Sequence, residues 1–336
     1  MPSLVTVGGF FGDEGKGKII AYLAMKDRPA IAVRGGVGPN AGHTFTFEGT
    51  EYKVRMLPSA ALNPSTRLLI GAGVLVNPEI LLREVQMFKA DDRTFVDSQC
   101  GIIEQSHIDR DKGDHLKGTI GTTGTGTGPA NADRALRTLK LARDVPELSL
   151  YVEDVSNSVN YALDSGENVL VEGTQGTYLS LFHGGYPFVT SKDVTASGIC
   201  SDVGLGPKRV DEVLVVFKAY VTRVGGGPLQ NELPEEEAKQ RGWQEFGSVT
   251  GRQRRSAPFD MELAKKAIRL NSATQLAVTK LDVLYPDCAG ARTFDGLSSE
   301  ARKFIENIEG ETGLQVTLIG TGPELYDIVD RREDKS

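Results

Sequence analysis

The chain has 336 residues, 39% hydrophobic and 25% charged, an ordinary soluble globular composition with material for one large domain or two. Its 38 Lys and Arg against 45 Asp and Glu leave a net charge of −7, which argues against a broad nucleic-acid-binding surface, so an anionic substrate needs local basic clusters. Cys100, Cys200 and Cys288 stand far apart with no C-x-x-C pair, which argues against a disulfide framework or a zinc site. The start lacks a signal-peptide pattern and no apolar run nears the ~20 residues of a membrane span, so the expected location is the cytoplasm, with no membrane and no nucleic-acid partner.

The first predicted strand, Leu4–Val7, runs straight into Gly8, Gly9, Gly12, Gly15 and Gly17, with Lys16 and Lys18 among the last of them and a predicted helix at Ile19–Met25. Strand, glycine loop and helix cradle phosphates: the glycines let backbone N–H groups approach oxygens, the helix end adds positive partial charge, and a lysine neutralises what remains. The spacing is not that of a Walker A loop, because a glycine follows Lys16 where Ser or Thr would hold magnesium. Asp13 and Glu14 also lie in the loop, and an acid there suggests a metal ligand or a base beside the nucleotide. The bland alternative is a glycine-rich turn with no ligand.

A strand over Ala30–Arg34 leads to a second glycine-rich stretch that delivers Asn40 and His43 at its carboxyl end, where open α/β sheets bind ligands. Gly118–Pro129 is a Gly/Thr run ahead of a predicted helix Ala130–Ala142 bearing Arg134 and Arg137, a setting for an anion. After a strand at Asn168–Glu172 comes Gln175, whose amide suits a purine edge. Arg252, Arg254 and Arg255 form the sharpest basic cluster in an acidic chain, suited to carboxylates or phosphates. Lys280 lies at the end of a strand at Gln275–Leu281 and Asp282 just beyond it; an acid there can accept both guanine N1–H and the 2-amino group, which adenine lacks.

Further strands are predicted at Arg67–Ile70 and Val213–Tyr220, and further helices at Pro78–Phe88, Val155–Asp164, Asp260–Leu270 and Ser298–Glu309. The acidic piece Glu232–Glu237 reads as a solvated helix start. This alternation predicts an α/β, P-loop-like nucleotide-binding fold with a central, mostly parallel sheet flanked by helices. The expectation is one domain over residues 1–336 with surface loops and subdomain insertions.

Six of these stretches resemble, in order, the signatures of adenylosuccinate synthetases of the compact archaeal type: Gly12-Asp-Glu-Gly-Lys-Gly-Lys18, Asn40-Ala-Gly-His-Thr44, Ile120–Pro129, Glu172–Thr177 with the later Thr190, Thr250–Arg255 and Lys280–Asp282, with Gly320–Pro323 closing the set. The resemblance implies GTP-dependent ligation of L-aspartate to IMP, with Mg2+ as cofactor and a homodimer in which Arg137 completes the partner's site. It implies Asp13, His43 and Lys16 as catalytic residues, and Asp13 with the Gly42 carbonyl as metal ligands. For GTP it implies Gly12, Gly15, Lys16, Gly17, Gly42, His43, Thr44, Lys280, Asp282, Thr321 and Gly322. For IMP it implies Asp13, Lys16, Asn40, Ala41, Thr123, Arg137, Gln175, Thr190 and Arg252, and for aspartate Val249, Thr250, Gly251, Arg252 and Arg254. One departure is Gln253, where the family carries a further arginine.

Three other readings compete, the most remote a non-catalytic nucleotide-binding subunit. Phage-type relatives act on dGMP and look as though they carry serine in place of the loop acid, whereas Asp13 is present here. A GTP-binding regulatory switch would use the phosphate loop and Lys280–Asp282, but it leaves Asn40–Thr44, Thr123, Gln175 and the arginine loop without a role.

Overall fold

The computed structural model describes residues 3–247 and 251–334. Its centre is a ten-stranded sheet: β1 (Ser3–Gly8), β2 (Ile31–Arg34), β3 (Arg67–Ile70), β4 (Thr94–Asp97), β5 (Val152–Glu153), β6 (Val169–Glu172), β7 (Glu212–Lys218), β8 (Gln275–Thr279), β9 (Val316–Gly320) and β10 (Ile328–Asp330). Their spatial order is β10-β9-β8-β7-β1-β6-β2-β3-β4-β5. Every pairing is parallel except that of β10 with β9. The expected central parallel sheet with flanking helices is therefore the observed fold.

All six residues of β1 are buried, as a strand covered on both faces requires. Val5 and Val7 pack into one hydrophobic layer and Leu4 into the other, the alternation that a pleated strand imposes. Because the strands run parallel, the chain leaves β1, β2, β6, β7, β8 and β9 at one edge of the sheet. That edge receives the stretches that follow those strands, among them the phosphate loop, Asn40–Thr44, Gln175, Lys280–Asp282 and Thr321–Gly322.

Local signals explain why several elements fall where expected. The helix Pro78–Phe88 has proline in its first turn and Asn77 accepting from Ile80 N, and Val155–Asp164 has Asp154 accepting from Asn157 N. Helix α1 (Lys16–Asp27) begins three residues before the predicted Ile19, with Gly15 at φ 84° as its N-cap. The lysine at its first position thus belongs to both loop and helix.

Three predicted boundaries are corrected. The run Val213–Tyr220 breaks after Lys218, and Tyr220–Arg223 turns away to pair antiparallel with Arg255–Pro258. The buried Lys218 ends the strand because its ammonium is held by Thr222 Oγ1 at 2.5 Å and Glu245 Oε2 at 3.0 Å. The strand ending in Gln275–Leu281 stops at Thr279, since Lys280 takes φ 61° and Leu281 opens a short helix. The helix expected over Ala130–Ala142 spans Thr127–Leu136, closed by Arg137 at φ 64°. A hairpin, His43–Phe47 with Thr50–Val54, was not anticipated; Glu48 and Gly49, both at positive φ, form its two-residue turn.

Candidate active site

The phosphate loop separates its two acids by role. Glu14 is buried and spoken for: its Oε1 accepts from Phe10 N at 3.0 Å and Gly12 N at 2.8 Å, and its Oε2 meets Lys16 Nζ at 2.8 Å. Glu14 therefore shapes the loop. Asp13 keeps 27% of its side chain exposed and lies within ion-pair distance of Arg254, Oδ2 to Nε 3.0 Å, although that N–H does not point along the contact. Asp13 is thus the loop acid available for chemistry, and it faces an arginine of the basic cluster across the site.

Lys16, 3% exposed, also reaches the backbone carbonyl of Gln175 at the end of β6. Asp13, Gln175 and Lys280 all adopt left-handed φ values of 61°, 54° and 61° without being glycine. Such conformations cost about 1–3 kcal/mol each and gather where a site requires them. All three sit in turns just beyond sheet strands.

His43 is brought beside the loop by a missing side chain: a Cβ on Gly17 would stand 2.7 Å from the His43 Cβ. The imidazole is buried, and its Nδ1 lies between the Arg34 guanidinium at 3.2 Å and the Glu172 carboxylate. Burial pushes its pKa down to about 4, assisted by Arg34 and opposed by Glu172, so the ring is neutral at pH 7. Burial works to raise the Glu172 carboxyl, but His43, Arg34 and Ser59 hold it below its ordinary value. Arg34 and Glu172 are both fully enclosed, 3.1 Å apart, at the paired ends of β2 and β6. Ser59 adds two further bonds to the carboxylate, 2.6 Å from N and 2.7 Å from Oγ.

The other predicted loops are tied to this centre by specific contacts. Asn40 Nδ2 donates to Thr190 Oγ1 at 3.4 Å while Asn40 Oδ1 is buried with no partner among the described residues. Ala41 is buried, and Gly42 and Thr44 are half-buried beside His43. Arg252 Nη2 donates to Gly121 O at 2.8 Å, joining the arginine cluster to the Gly/Thr run. Thr123 shares a hydrogen bond of 2.9 Å with Thr125 and is half-buried. Gly251 is exposed, and Val249 and Thr250 lie outside the described residues. Thr279 Oγ1 donates to Glu14 O at 2.6 Å, which seats the phosphate loop on β8 next to Lys280 and Asp282. Asp282 Oδ1 is buried with no partner among the described residues, and burial raises its carboxyl. Thr321 is buried and Gly322 half-buried at the end of β9. Arg137 is not brought into the centre: it is exposed, with Nη1 3.4 Å from the carbonyl of Ala135 in its own helix.

Two groups of functional consequence were missed from the sequence. One is the Arg34–Glu172 pair behind His43, whose signal was a charge of opposite sign ending each of two apolar strands. The other is Glu245, which holds Arg254 Nη1, Tyr220 OH and, at 3.0 Å, Lys218. Burial would raise its carboxyl, but Lys218, Arg254 and Lys280 draw it down to about 2. A lone acid upstream of an arginine cluster carried no readable signal.

Chemically the arrangement is that of an enzyme that handles nucleoside phosphates and an acidic co-substrate: a lysine-bearing phosphate loop, an accessible acid, and an arginine opposite it. The adenylosuccinate synthetase family model matches residues 5–146 and 139–286. The chain is 54% identical over 336 residues to the adenylosuccinate synthetase of Archaeoglobus fulgidus, covering 100% of both chains. It is 55% identical over 335 residues to that of Methanocaldococcus jannaschii, covering 98% of this chain and 97% of that protein. Among solved structures it is similar to the fully ligated adenylosuccinate synthetase from Plasmodium falciparum, with a TM-score of 0.92, 25% identity, and 99% and 100% of the two chains covered. It is also similar to the succinoaminodeoxyadenylate synthetase of cyanophage S-2L, bound to dGMP and dATP as an energy donor, with a TM-score of 0.79, 26% identity, and 98% and 95% covered. The chain belongs to the adenylosuccinate synthetase family, a family of GDP-forming ligases.

Proposed function

We propose that the chain joins L-aspartate to IMP at the expense of GTP, giving adenylosuccinate, GDP and phosphate by way of 6-phosphoryl-IMP. Beyond family membership, the observation that carries the reading is the difference between the two loop acids, since only Asp13 is free of loop-shaping bonds and partly exposed. Asp13 takes the N1 proton of IMP, and the 6-oxygen attacks the γ-phosphorus of GTP as the bond to the β–γ bridging oxygen breaks and GDP leaves. The amine of aspartate then attacks C6; the phosphate departs with the C–O bonding pair, and the amine loses a proton.

Lys16 and His43 stabilise the transferring phosphoryl group, with Glu172 and Arg34 holding the imidazole in place. Gln175, Asn40, Thr190 and Thr123 take IMP, and Arg252 and Arg254 take the aspartate carboxylates. Lys280, Asp282, Thr321 and Gly322 take the guanine; the partnerless Asp282 oxygen fits a site that awaits the two donors of that base.

Among the described residues no group of three His, Cys, Asp or Glu could cage a metal ion. Magnesium needs no such cage, because it uses one or two carboxylates together with substrate phosphates. Asp13 and the half-buried Gly42 carbonyl fit that donor set, and the ion would screen charge between the phosphates. The reading includes a homodimer in which Arg137 serves the neighbouring copy's site; in support, Arg137 is exposed beside Leu136, itself 70% exposed. Among the described residues no helix is long and apolar enough to cross a membrane, in keeping with a single-domain enzyme working in the cytoplasm.

The test is Asp13→Asn, assayed by the ultraviolet absorbance change of adenylosuccinate formation alongside nucleotide binding. Turnover should vanish while GTP still binds. A variant keeping even about a tenth of the rate contradicts the base assignment, because loss of a general base costs on the order of 10²–10⁴-fold. The dGMP reading is secondary, since phage-type relatives look as though they carry serine, with room for a 2-amino group, where this chain has Asp13.

A further inference from the structure

Lys18 lies in the phosphate-loop motif, yet its side chain does not serve the phosphate side of the site. It is 8% exposed, and its ammonium turns toward the far end of the chain. There it donates to Gly322 O at 2.6 Å and to Asp327 O at 2.8 Å. Both acceptors belong to the turn that follows β9, some 300 residues away in sequence. That turn is tightly built. Thr321 Oγ1 donates to Ala291 O at 2.7 Å, Glu324 N donates to Asp327 Oδ2 at 3.2 Å, and a Cβ on Gly322 would stand 2.5 Å from Asp327 Oδ2. Asp282, whose buried Oδ1 has no partner among the described residues, lies near enough to Lys18 to act on its charge. Burial lowers the ammonium to about 8 while Asp327 and Asp282 support it, so it is charged at neutral pH.

A buried ammonium that gives two hydrogen bonds to backbone carbonyls is a strut, since those carbonyls must sit where it reaches. Its root is the first turn of α1, where the triphosphate would lie, and its head is the turn that would close over the base. We infer that Lys18 is a positioning residue for purine selection: it fixes the Gly322–Asp327 turn against the phosphate loop, so that base and phosphates are read in one register. The inference rests on the reading that Asp282, Thr321 and Gly322 take the base of GTP.

The experiment is steady-state kinetics on the full chain for Lys18→Met and Lys18→Gln, varying GTP, ITP, IMP and aspartate in turn. ITP lacks only the 2-amino group. For Lys18→Met, KM for GTP should rise at least about ten-fold, the loss expected for about one charge-assisted hydrogen bond. Lys18→Gln keeps an uncharged NH₂ donor group on a shorter stem and should fall between that variant and the unmodified chain. In both, the preference for GTP over ITP in kcat/KM should shrink, while KM for IMP and for aspartate stays within about two-fold. A folded variant with unchanged KM for GTP and unchanged preference overturns the inference. So does an equal loss toward all substrates, or failure of both variants to fold, since either assigns Lys18 to stability alone. If the unmodified chain itself fails to prefer GTP over ITP, the base-pocket reading fails first, independently of Lys18.

Discussion

Glu172→Gln removes one charge from the most enclosed ion pair at the site. Glu172 and Arg34 are both fully buried, and the carboxylate is satisfied by Arg34, by both groups of Ser59 and by His43. Glutamine keeps one acceptor but turns an NH₂ toward groups that are themselves donors. Besides that acceptor and the His43 ring, Arg34 would retain two long carbonyl contacts, Leu57 O at 3.4 Å and Arg55 O at 3.3 Å. Removing one partner of a buried pair costs about 3–5 kcal/mol, a large part of the roughly 5–15 kcal/mol that holds a typical domain together. Equilibrium urea unfolding should show a loss in that range. Arg34→Met combined with Glu172→Gln should recover at least half of it, because no uncompensated charge then remains. Turnover should fall in the single variant even where it is folded, since the His43 ring has lost its support. A single-variant loss below about 1 kcal/mol, or a double variant as unstable as the summed losses, would refute the reasoning.

Three further outcomes can be checked. Asp282→Asn should lower kcat/KM for GTP by about 10²-fold or more, through loss of two charge-assisted contacts to guanine; an unchanged GTP-to-ITP preference would remove Asp282 as the reader of the base. Glu245 has its pKa depressed from 4.5 to about 2, so its contribution to stability is complete above pH 4.5 and is lost as pH falls toward 2. Subtracting the acid-unfolding curve of Glu245→Gln from that of the unmodified chain should isolate a difference confined to that window, and a difference independent of pH there would contradict the pairing. Mixing inactive Arg137→Leu with inactive Asp13→Asn should return part of the activity through hybrid dimers; hybrids that form and stay silent would show that Arg137 does not serve the partner.

The sequence made the glycine loops and the well-capped helices legible because their signals are local. Pro78 after Asn77, and Asp154 ahead of Val155, declare helix starts without reference to the rest of the chain. The parallel sheet was legible for a similar reason, since apolar runs alternating with helices leave few other arrangements. The strand break at Lys218 was not legible, because a lysine after an apolar run looks like the solvent-facing end of a strand. It is buried only because Glu245 and Thr222 meet it from elsewhere. The Arg34–Glu172 pair escaped for the same reason: each residue is an ordinary strand terminus until β2 and β6 are placed side by side. Lys18 read as one more cation in a phosphate loop, and its partners lie on a turn at the other end of the chain. Pairings made across the sheet edge thus account for what the sequence hid.

The most direct measurement supplies the purified protein with magnesium, GTP and L-aspartate and offers IMP and dGMP in parallel, following product by absorbance and chromatography. Adenylosuccinate should form from IMP, with GDP and phosphate in equal amounts, and dGMP should give no product. Turnover of dGMP would show that Asp13 does not decide the purine, and GTP hydrolysis with neither purine consumed would contradict the ligase chemistry assigned to this site.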